Sequence, residues 1–293
     1  MTPRLDPTAP ASPLPGAFVT VTGRSVHVLT HLEPGGSTPK VVFESALGCP
    51  CTEWVTVQRI LAGNGVSSLA YDRPGVGWSP PARGPLNSEA QAALLSELIG
   101  SVTTAPVVLV AHSVGGLLAL SFAGRFPKQI AGVVFIDCTH PEQHLRSSRQ
   151  REALRNLRHQ LRRAHRHPRP DIAGTDVEML PPPYDELTYR MATSPRGMRA
   201  ALAEVDQSTR AWAPDAANHR LDGTPLTVLT AGSVAYDDPS HRVLQRELAA
   251  LSAVGRHHIV PEATHQGIVM NPFHAGKTAG AILSMVPQQK ETS

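Results

Sequence analysis

A serine lies at the junction of two apolar runs in residues 106–120, PVVLVAHSVGGLLAL. This serine, Ser113, has Ala111 two residues before it and Gly115 two residues after it, and small residues at both places permit a very tight turn. On such a turn the hydroxyl could attack a carbonyl carbon, while the amide of Val114 at the helix start would face the developing oxyanion. Since the AxSxG string is short, Ser113 could also occupy a tight turn without a chemical role.

A serine nucleophile needs two partners from elsewhere in the chain. A neutral imidazole must remove the hydroxyl proton, and a carboxylate must hold that imidazole in the right tautomer. The chain contains fourteen histidines and 24 acidic residues, so residue type alone selects neither partner. The elements that would bring them to Ser113 must decide between them.

Short apolar runs rich in Val, Ile and Leu recur along the chain, with helix-like segments between most of them. This alternation predicts a parallel sheet covered by helices. The alternating segment FVTVTGRSVHVLTHLE, residues 18–33, predicts an antiparallel hairpin at the sheet edge. Residues 88–100, behind the potential caps Asn87 and Ser88, and residues 240–251 have the apolar spacing of covering helices. The strand-like runs are residues 41–43, 106–110, 133–136, 226–229 and 259–260.

The pattern divides the chain into three parts. Residues 1–16 are rich in Pro, Ala and Thr and predict a flexible tail. Residues 17–139 and 223–293 hold the strand signals and predict one α/β core domain. Residues 140–222 hold polar, helix-like stretches broken by PRP and PPP, and predict a helical insertion.

Positive charge is concentrated in this insertion. Residues 144–169 contain nine arginines and one glutamate, although the whole chain has a net charge of only +3. Leu154, Leu157 and Leu161 give the stretch one apolar stripe, which predicts an amphipathic helix lying on the main domain. Dense positive charge can attract polyanions, but no aromatic residues are interleaved with the arginines, so we expect a solvated face and no nucleic-acid partner.

Several other classes are disfavoured by composition. The cysteines Cys49, Cys51 and Cys138 are too few for a disulfide framework, which fits a reducing cytoplasm. The longest apolar stretch is interrupted by polar residues and glycines, so no membrane span is expected, and the first residues lack a signal-peptide pattern. HPEQH at residues 140–144 departs from the HExxH zinc pattern, and no glycine-rich phosphate loop is present, so neither a metal nor a nucleotide cofactor is expected.

Four segments in order resemble the α/β-hydrolase superfamily, and the resemblance covers nearly all of residues 17–287. It implies an eight-stranded, mostly parallel sheet with helices on both faces and a helical cap inserted after the sixth strand. In that fold the four segments correspond to the third strand with its loop, the loop after the fourth strand, the sixth strand, and the last strand with the histidine loop. They are VVFESALG at 41–48, YDRPGVGWS at 71–79, GVVFIDCTHPE at 132–142 and RHHIVPEATHQGIV at 256–269.

The resemblance implies that His265, in the loop after the last strand, is the catalytic base for Ser113. The acid is less clearly indicated. Many relatives carry an aspartate shortly after the seventh strand, where this chain has Asp237 and Asp238 somewhat late, whereas some place the acid after the sixth strand, where this chain has Asp137. We favour Asp137, because the end of a central parallel strand points into the active-site crevice, and retain Asp237 or Asp238 as the alternative. Each of these aspartates could instead bond nearby backbone or cap a helix.

The resemblance also implies an oxyanion hole made by two backbone amides. Alignment within the loop after the third strand assigns them to Leu47 and Val114. The His-Gly pair common in this loop is replaced here by Ser45 and Ala46, which leaves the backbone donors in place.

The function implied is a serine hydrolase that cleaves an ester or related acyl bond of a small molecule through an acyl-enzyme, without a cofactor. Serine at the turn disfavours haloalkane dehalogenase chemistry, which uses a carboxylate nucleophile, while carbon–carbon hydrolase, perhydrolase and lyase activities remain open. The alternative is a small-molecule receptor or binding protein on the same fold with weak or no turnover. The altered oxyanion loop and the displaced acid are consistent with that alternative.

Overall fold

The computed structural model of the protein describes most of the chain. Residues 1–13 of the predicted tail and residues 165–171 of the predicted insertion lie outside the described residues. The described ranges are 14–21, 23–33, 38–82, 84–164 and 172–287.

An eight-stranded, mostly parallel sheet forms the centre of the protein, as predicted, with the strand order β1-β2-β4-β3-β5-β6-β7-β8. The first two strands form the predicted antiparallel edge hairpin, β2 also runs antiparallel to β4, and the remaining neighbours are parallel. The strands are β1 Ala17–Val21, β2 Arg24–His31, β3 Val41–Glu44, β4 Ser68–Tyr71, β5 Val107–His112, β6 Ile130–Ile136, β7 Leu226–Ala231 and β8 Arg256–Val260.

Helices connect the parallel strands and cover the sheet. The two predicted covering helices are both present, and Asn87 caps the first of them by accepting a hydrogen bond from the Ala90 amide. No helix within the described ranges has both the length and the apolarity needed to cross a bilayer. The helices are α1 Val55–Gly63, α2 Ser88–Val102, α3 Gly115–Arg125, α4 Gln143–Arg146, α5 Ser148–Ala164, α6 Tyr184–Thr193, α7 Pro195–Gln207, α8 Ala213–Ala216, α9 Gly232–Asp237, α10 Pro239–Ala249, α11 Gly267–Met270 and α12 Pro272–Leu283.

The core is divided by the sheet into two layers. Along β5, Leu109 faces the layer that holds α2 and α3, whereas Val108 and Val110 face the opposite layer. All three side chains are fully buried, which explains why this strand is a continuous apolar run and does not alternate with polar residues. Burial on both faces holds β5 rigidly, and its carboxyl end carries Ser113.

The segment between β6 and β7 consists mainly of helices α4 to α8, with a π-helical turn at Ser208–Trp212 between α7 and α8. The predicted amphipathic helix is present as α5, but it packs on α7, which belongs to the same segment, and not mainly on the sheet-covering helices. Its residues Leu154 and Leu157 are half-buried, whereas most of its arginines are exposed. The division of the chain into core and cap remains a prediction.

Candidate active site

Ser113 occupies a strained turn between β5 and α3. Its φ angle is +56°, in the left-handed region that residues with a side chain rarely adopt, and such strain usually occurs at functional sites. A Cβ atom on Gly115 would lie 2.8 Å from the carbonyl oxygens of Glu44 and Ser45, so only glycine fits there. The turn is secured from β6, since the Ser113 amide donates to the Ile136 carbonyl at 3.1 Å. The predicted sharp turn at Ser113 is therefore present.

Ser113, His265 and Asp137 form one continuous hydrogen-bonded chain. The Ser113 Oγ lies 2.9 Å from His265 Nε2, and His265 Nδ1 lies 2.5 Å from Asp137 Oδ2. Because the carboxylate can only accept, Nδ1 donates to Asp137 and Nε2 is left to accept the serine proton. This is the arrangement that activates a serine hydroxyl.

Asp137 lies directly after β6 in a second strained turn, with a φ angle of +44°. Its other oxygen, Oδ1, accepts hydrogen bonds from the Ala231 amide at 3.1 Å and from His241 Nε2 at 2.9 Å. Burial by itself would raise the pKa of Asp137, but the hydrogen bonds from His241 and His265 outweigh it and hold the pKa well below its ordinary value. Asp137 is therefore a stable carboxylate at neutral pH.

The later aspartates have other partners. Asp238 caps α10, with Oδ1 accepting from the amides of Ser240 and His241 at 3.0 and 3.1 Å, and Oδ2 accepting from the Ser147 hydroxyl at 2.6 Å. Asp237 is exposed on the last turn of α9. Of the three predicted acids, all of which are described, the structure brings only Asp137 to the histidine.

The electrostatic environment of His265 favours its charged form. Desolvation by burial lowers the pKa of the imidazole, but the hydrogen bond and the charge of Asp137 raise it further, so the net shift is upward. His112, directly before the serine, lies 2.8 Å through Nε2 from the His265 carbonyl oxygen and 3.2 Å through Nδ1 from Glu53. It therefore bonds the loop that carries His265.

This shift predicts the pH dependence of any reaction that needs His265 as a base. The imidazole must be neutral to accept the serine proton, so kcat/KM should fall as the pH drops through its raised pKa. The midpoint of that acid limb is expected above the ordinary imidazole value of 6.5. A profile of kcat/KM for an uncharged ester between about pH 5 and about pH 9 measures it. A midpoint at or below the ordinary value would contradict the predicted upward shift of the His265 pKa.

The predicted oxyanion loop is clamped on both sides of Leu47. The amide of Ala46 donates to Glu53 Oε1 and the amide of Gly48 donates to Glu204 Oε2, both at 2.7 Å. The Leu47 amide between them donates to no acceptor among the described residues. This amide is thus available to a substrate.

Val114 is placed to supply the second donor. It follows Ser113 directly and precedes the first residue of α3, where backbone N–H groups lack helical acceptors. Its amide, like that of Leu47, has no acceptor within the described part of the chain. Both residues line the same cavity as Ser113.

A fully buried arginine, Arg73, holds the predicted oxyanion loop in place. The Arg73 guanidinium donates to Glu204 twice, at 2.6 and 2.8 Å, to Glu44 at 2.6 Å, and to the carbonyl oxygens of Ser45 and Ala46 at 2.6 and 2.8 Å. These bonds use all five donors of the guanidinium, as a buried charge requires. Glu204 lies on α7, so one carboxylate joins the segment after β6 to the oxyanion loop.

We predict that Glu204→Gln destabilises the fold and slows turnover. Both carboxylate oxygens of Glu204 accept hydrogen bonds from Arg73, and one of them also accepts from the Gly48 amide. A glutamine has only one carbonyl oxygen, so a buried donor loses its acceptor. We expect this loss to lower the free energy of unfolding by about 3 kcal/mol. Urea denaturation measures this loss, and steady-state kinetics measure the effect of a loosened loop. The matched control Glu152→Gln changes an exposed glutamate on α5 and should leave both unchanged. Equal stability of the two variants would refute the predicted role.

The cavity at Ser113 has a volume of about 330 Å³. Its lining combines an apolar side with hydrogen-bonding side chains, and among the described lining residues there is no Asp, Glu, Lys or Arg. Much of the lining comes from the segment between β6 and β7. The apolar lining is Leu47, Val114, Leu117, Ala153, Leu154, Leu157 and Ala213, and the polar lining away from the triad is Thr139, Gln143, His144, Gln150, Ser208 and Thr209.

Among the described residues, two groups of side chains have the composition of metal ligands. In the first, His27, Cys51 and Asp72 are buried together, but Asp72 already accepts from His27 Nδ1 and from the Cys51 amide, and burial raises the pKa of the Cys51 thiol well above its usual range. A protonated thiol is a poor metal ligand. The second group, His140, Glu142 and Glu247, is ion-paired by Arg146.

Comparison with known proteins agrees with this fold. Residues 34–278 match the model of the Alpha/beta hydrolase family. The chain belongs to the α/β-hydrolase family. The resemblance predicted from four short segments is thereby confirmed.

Individual relatives of this α/β-hydrolase are distant. An esterase of Mycobacterium tuberculosis is 33% identical over 120 residues, which are 38% of this chain and 37% of that protein. The chain spans well under half the length of the curated relatives it matches. An epoxide hydrolase from Vigna radiata has a TM-score of 0.70 at 16% identity, covering 92% of this chain and 97% of its own. An esterase from Exiguobacterium antarcticum has a TM-score of 0.69 at 15% identity, covering 92% and 99%. Both structures share the fold.

Glu204 and His241 are among the residues of the site that were not identified from the sequence. Glu204 shares one face of α7 with the buried residues Ala201 and Val205, and His241 shares one face of α10 with the buried Leu244. A polar residue on the apolar face of a helix is the signal that could have found them, because burial of such a residue requires a polar partner. The partner itself lies far away in sequence, so its identity requires the fold.

Proposed function

We propose that this protein is a serine hydrolase that cleaves an ester or related acyl bond of a small molecule. The observation that carries the proposal is the hydrogen-bonded chain of Ser113, His265 and Asp137, which opens on a cavity also lined by Leu47 and Val114. The relatives named esterases are consistent with this activity.

In the first half of the reaction, His265 Nε2 takes the proton of Ser113 as Oγ attacks the carbonyl carbon of the substrate. The carbonyl oxygen becomes negatively charged and is stabilised by the amides of Leu47 and Val114. When the intermediate collapses, the bond to the leaving alcohol breaks and His265 returns the proton to that alcohol. The product that remains is an acyl ester of Ser113.

In the second half, water takes the place of the alcohol. His265 removes a proton from the water as the water oxygen attacks the acyl carbon. His265 then gives this proton to the Ser113 oxygen as the free acid leaves. Asp137 accepts the hydrogen bond from Nδ1–H of His265 and stabilises the imidazolium in both halves of the reaction. Atoms balance with one ester and one water consumed, so no cofactor is required.

The cavity favours an uncharged substrate. A buried charge on the substrate would need an opposite charge in the lining, and the described lining contains no Asp, Glu, Lys or Arg, its only titratable side chains being His144 and His265. We therefore propose a small neutral ester or lactone with an apolar portion toward Leu154 and Leu157. We further propose that residues 140–222 act as a helical cap over this cavity, and that the protein works in the cytoplasm on a small molecule, not on nucleic acid.

The test is active-site labelling combined with a substrate panel. A fluorophosphonate probe should modify the purified protein at Ser113, and short-chain neutral acyl esters should be hydrolysed faster than esters that carry a carboxylate or a quaternary ammonium group. A protein that is neither labelled nor active on any member of the panel would overturn the proposal. That result would favour the alternative of a binding protein on this fold.

A further inference from the structure

The Asp137 carboxylate lies between two histidines. Oδ2 accepts from Nδ1 of His265 at 2.5 Å, and Oδ1 accepts from Nε2 of His241 at 2.9 Å. A triad requires only the first of these contacts. The second histidine lies 104 residues away from Asp137 in sequence and is buried, with a side-chain exposure of 3%.

Helix α10 holds the turn after β6 at two successive residues. His241 and Gln245 are four residues apart and therefore lie on one face of the helix. His241 donates to Asp137, and Gln245 Nε2 donates to the backbone carbonyl of Cys138 at 2.6 Å. The start of α10 is fixed in turn by Asp238, which accepts from the Ser147 hydroxyl in the segment after β6.

The hydrogen bond also fixes which tautomer a neutral His241 adopts. A carboxylate accepts and cannot donate, so the proton of the neutral imidazole lies on Nε2, and Nδ1 is left as a bare acceptor. Nδ1 of His241 is buried and has no partner among the described residues. An unsatisfied buried nitrogen is unfavourable for stability. The arrangement is thus not one that packing alone would favour.

We propose that His241 is a positioning residue for the triad, which holds Oδ1 of Asp137 so that Oδ2 alone faces His265. This role rests on the proposed function of Ser113 and His265. Asp137 has a φ angle of +44°, and a strained turn persists only when its surroundings over-determine it. His241 and the Ala231 amide supply that restraint on the side of the carboxylate opposite to His265.

His241 should also moderate the basicity of the triad. Its N–H stabilises the negative charge of Asp137, so less of that charge is left to stabilise the imidazolium of His265. Loss of the donor should therefore raise the pKa of His265. Among the described residues, the other titratable groups around the three are Asp238 and His257 beside His241, Cys138 beside Asp137, and Glu53, Asp176 and His112 beside His265.

The experiment compares three substitutions at His241 with one control. His241→Leu removes the donor, His241→Asn retains polarity with an amide too short to reach Asp137, and His241→Gln returns an N–H near the position of Nε2. The control His257→Leu removes a neighbouring histidine that bonds Thr230 and does not contact Asp137. The pKa of His265 is followed by NMR of the labelled imidazole, and kcat is measured on a neutral ester.

We expect His241→Leu and His241→Asn to raise the pKa of His265 and to lower kcat about tenfold, the usual effect of losing one orienting hydrogen bond. His241→Gln should recover both values, and His257→Leu should leave the pKa of His265 unchanged. If His241→Leu does not fold, the Asn variant decides. An unchanged pKa in the folded donor-free variant, or an equal shift in His257→Leu, would overturn the proposal.

The NMR titration does not depend on turnover. If the protein hydrolyses no ester while the pKa of His265 still responds to His241, the proposed function fails, and what stands is the coupling of His241 to His265 through Asp137. If the protein hydrolyses esters and the pKa of His265 does not respond to His241, the proposed function stands and the positioning role of His241 fails.

Discussion

Replacement of Ser113 by alanine is expected to lower ester hydrolysis by about 10⁴- to 10⁶-fold, because it removes the atom that forms the acyl-enzyme. His265 and the two amides would remain in place, so binding and oxyanion stabilisation should support only a weak residual reaction with water. Fluorophosphonate labelling should be lost completely. The fold should be retained, because the serine hydroxyl contacts His265 at the edge of an open cavity and not the packed core.

The matched control for this variant is Ser284→Ala. Ser284 is an exposed serine that follows α12, and its hydroxyl donates only to the Ala281 carbonyl within the described structure. The Ser284→Ala variant should keep full activity and full labelling. Residual labelling of Ser113→Ala, or activity within tenfold of the native protein, would show that another residue is the nucleophile.

The position of Ser113 could be predicted from the sequence because the pattern that indicates it lies in neighbouring residues. Ser113 lies between a buried strand and an apolar helix, and the small residues Ala111 and Gly115 on each side report the tight turn. His265 is indicated instead by the resemblance of the last strand and its loop to those of the α/β-hydrolase superfamily. Their proximity in space follows from the parallel order of the strands, because parallel neighbours end at one edge of the sheet.

Other parts of the fold and the site depend on distant contacts. Strand β4 is short and begins with Ser68, so it does not form an apolar run in the sequence, although all four of its residues are buried. Glu204 reaches Arg73 across 131 residues. The choice between Asp137 and the later pair also depended on tertiary structure, because each aspartate has a sequence context that permits a catalytic or a capping role. Only the hydrogen bond to His265 separates them.

Asp137→Asn should lower kcat by about 10⁴-fold, and the reason lies in the partners of its carboxylate. The Ala231 amide and His241 Nε2 both donate to Oδ1, so the carbonyl oxygen of an asparagine would be held on their side. Its NH₂ group would then face Nδ1 of His265. A donor at that place makes Nδ1 the acceptor and moves the imidazole proton to Nε2, where it opposes Ser113. The base would be present at the right distance in the wrong tautomer.

The alternative acids provide the controls for this prediction. Asp237→Asn alters an exposed side chain and should change neither stability nor kcat. Asp238→Asn weakens the cap of α10 and its bond to Ser147, so it should lower the free energy of unfolding by about 1 kcal/mol while kcat falls by less than tenfold. If kcat instead fell 10⁴-fold in Asp238→Asn and remained near native in Asp137→Asn, the acid would be the later aspartate. In that case the contact between Asp137 and His265 would serve the turn after β6 and not the reaction.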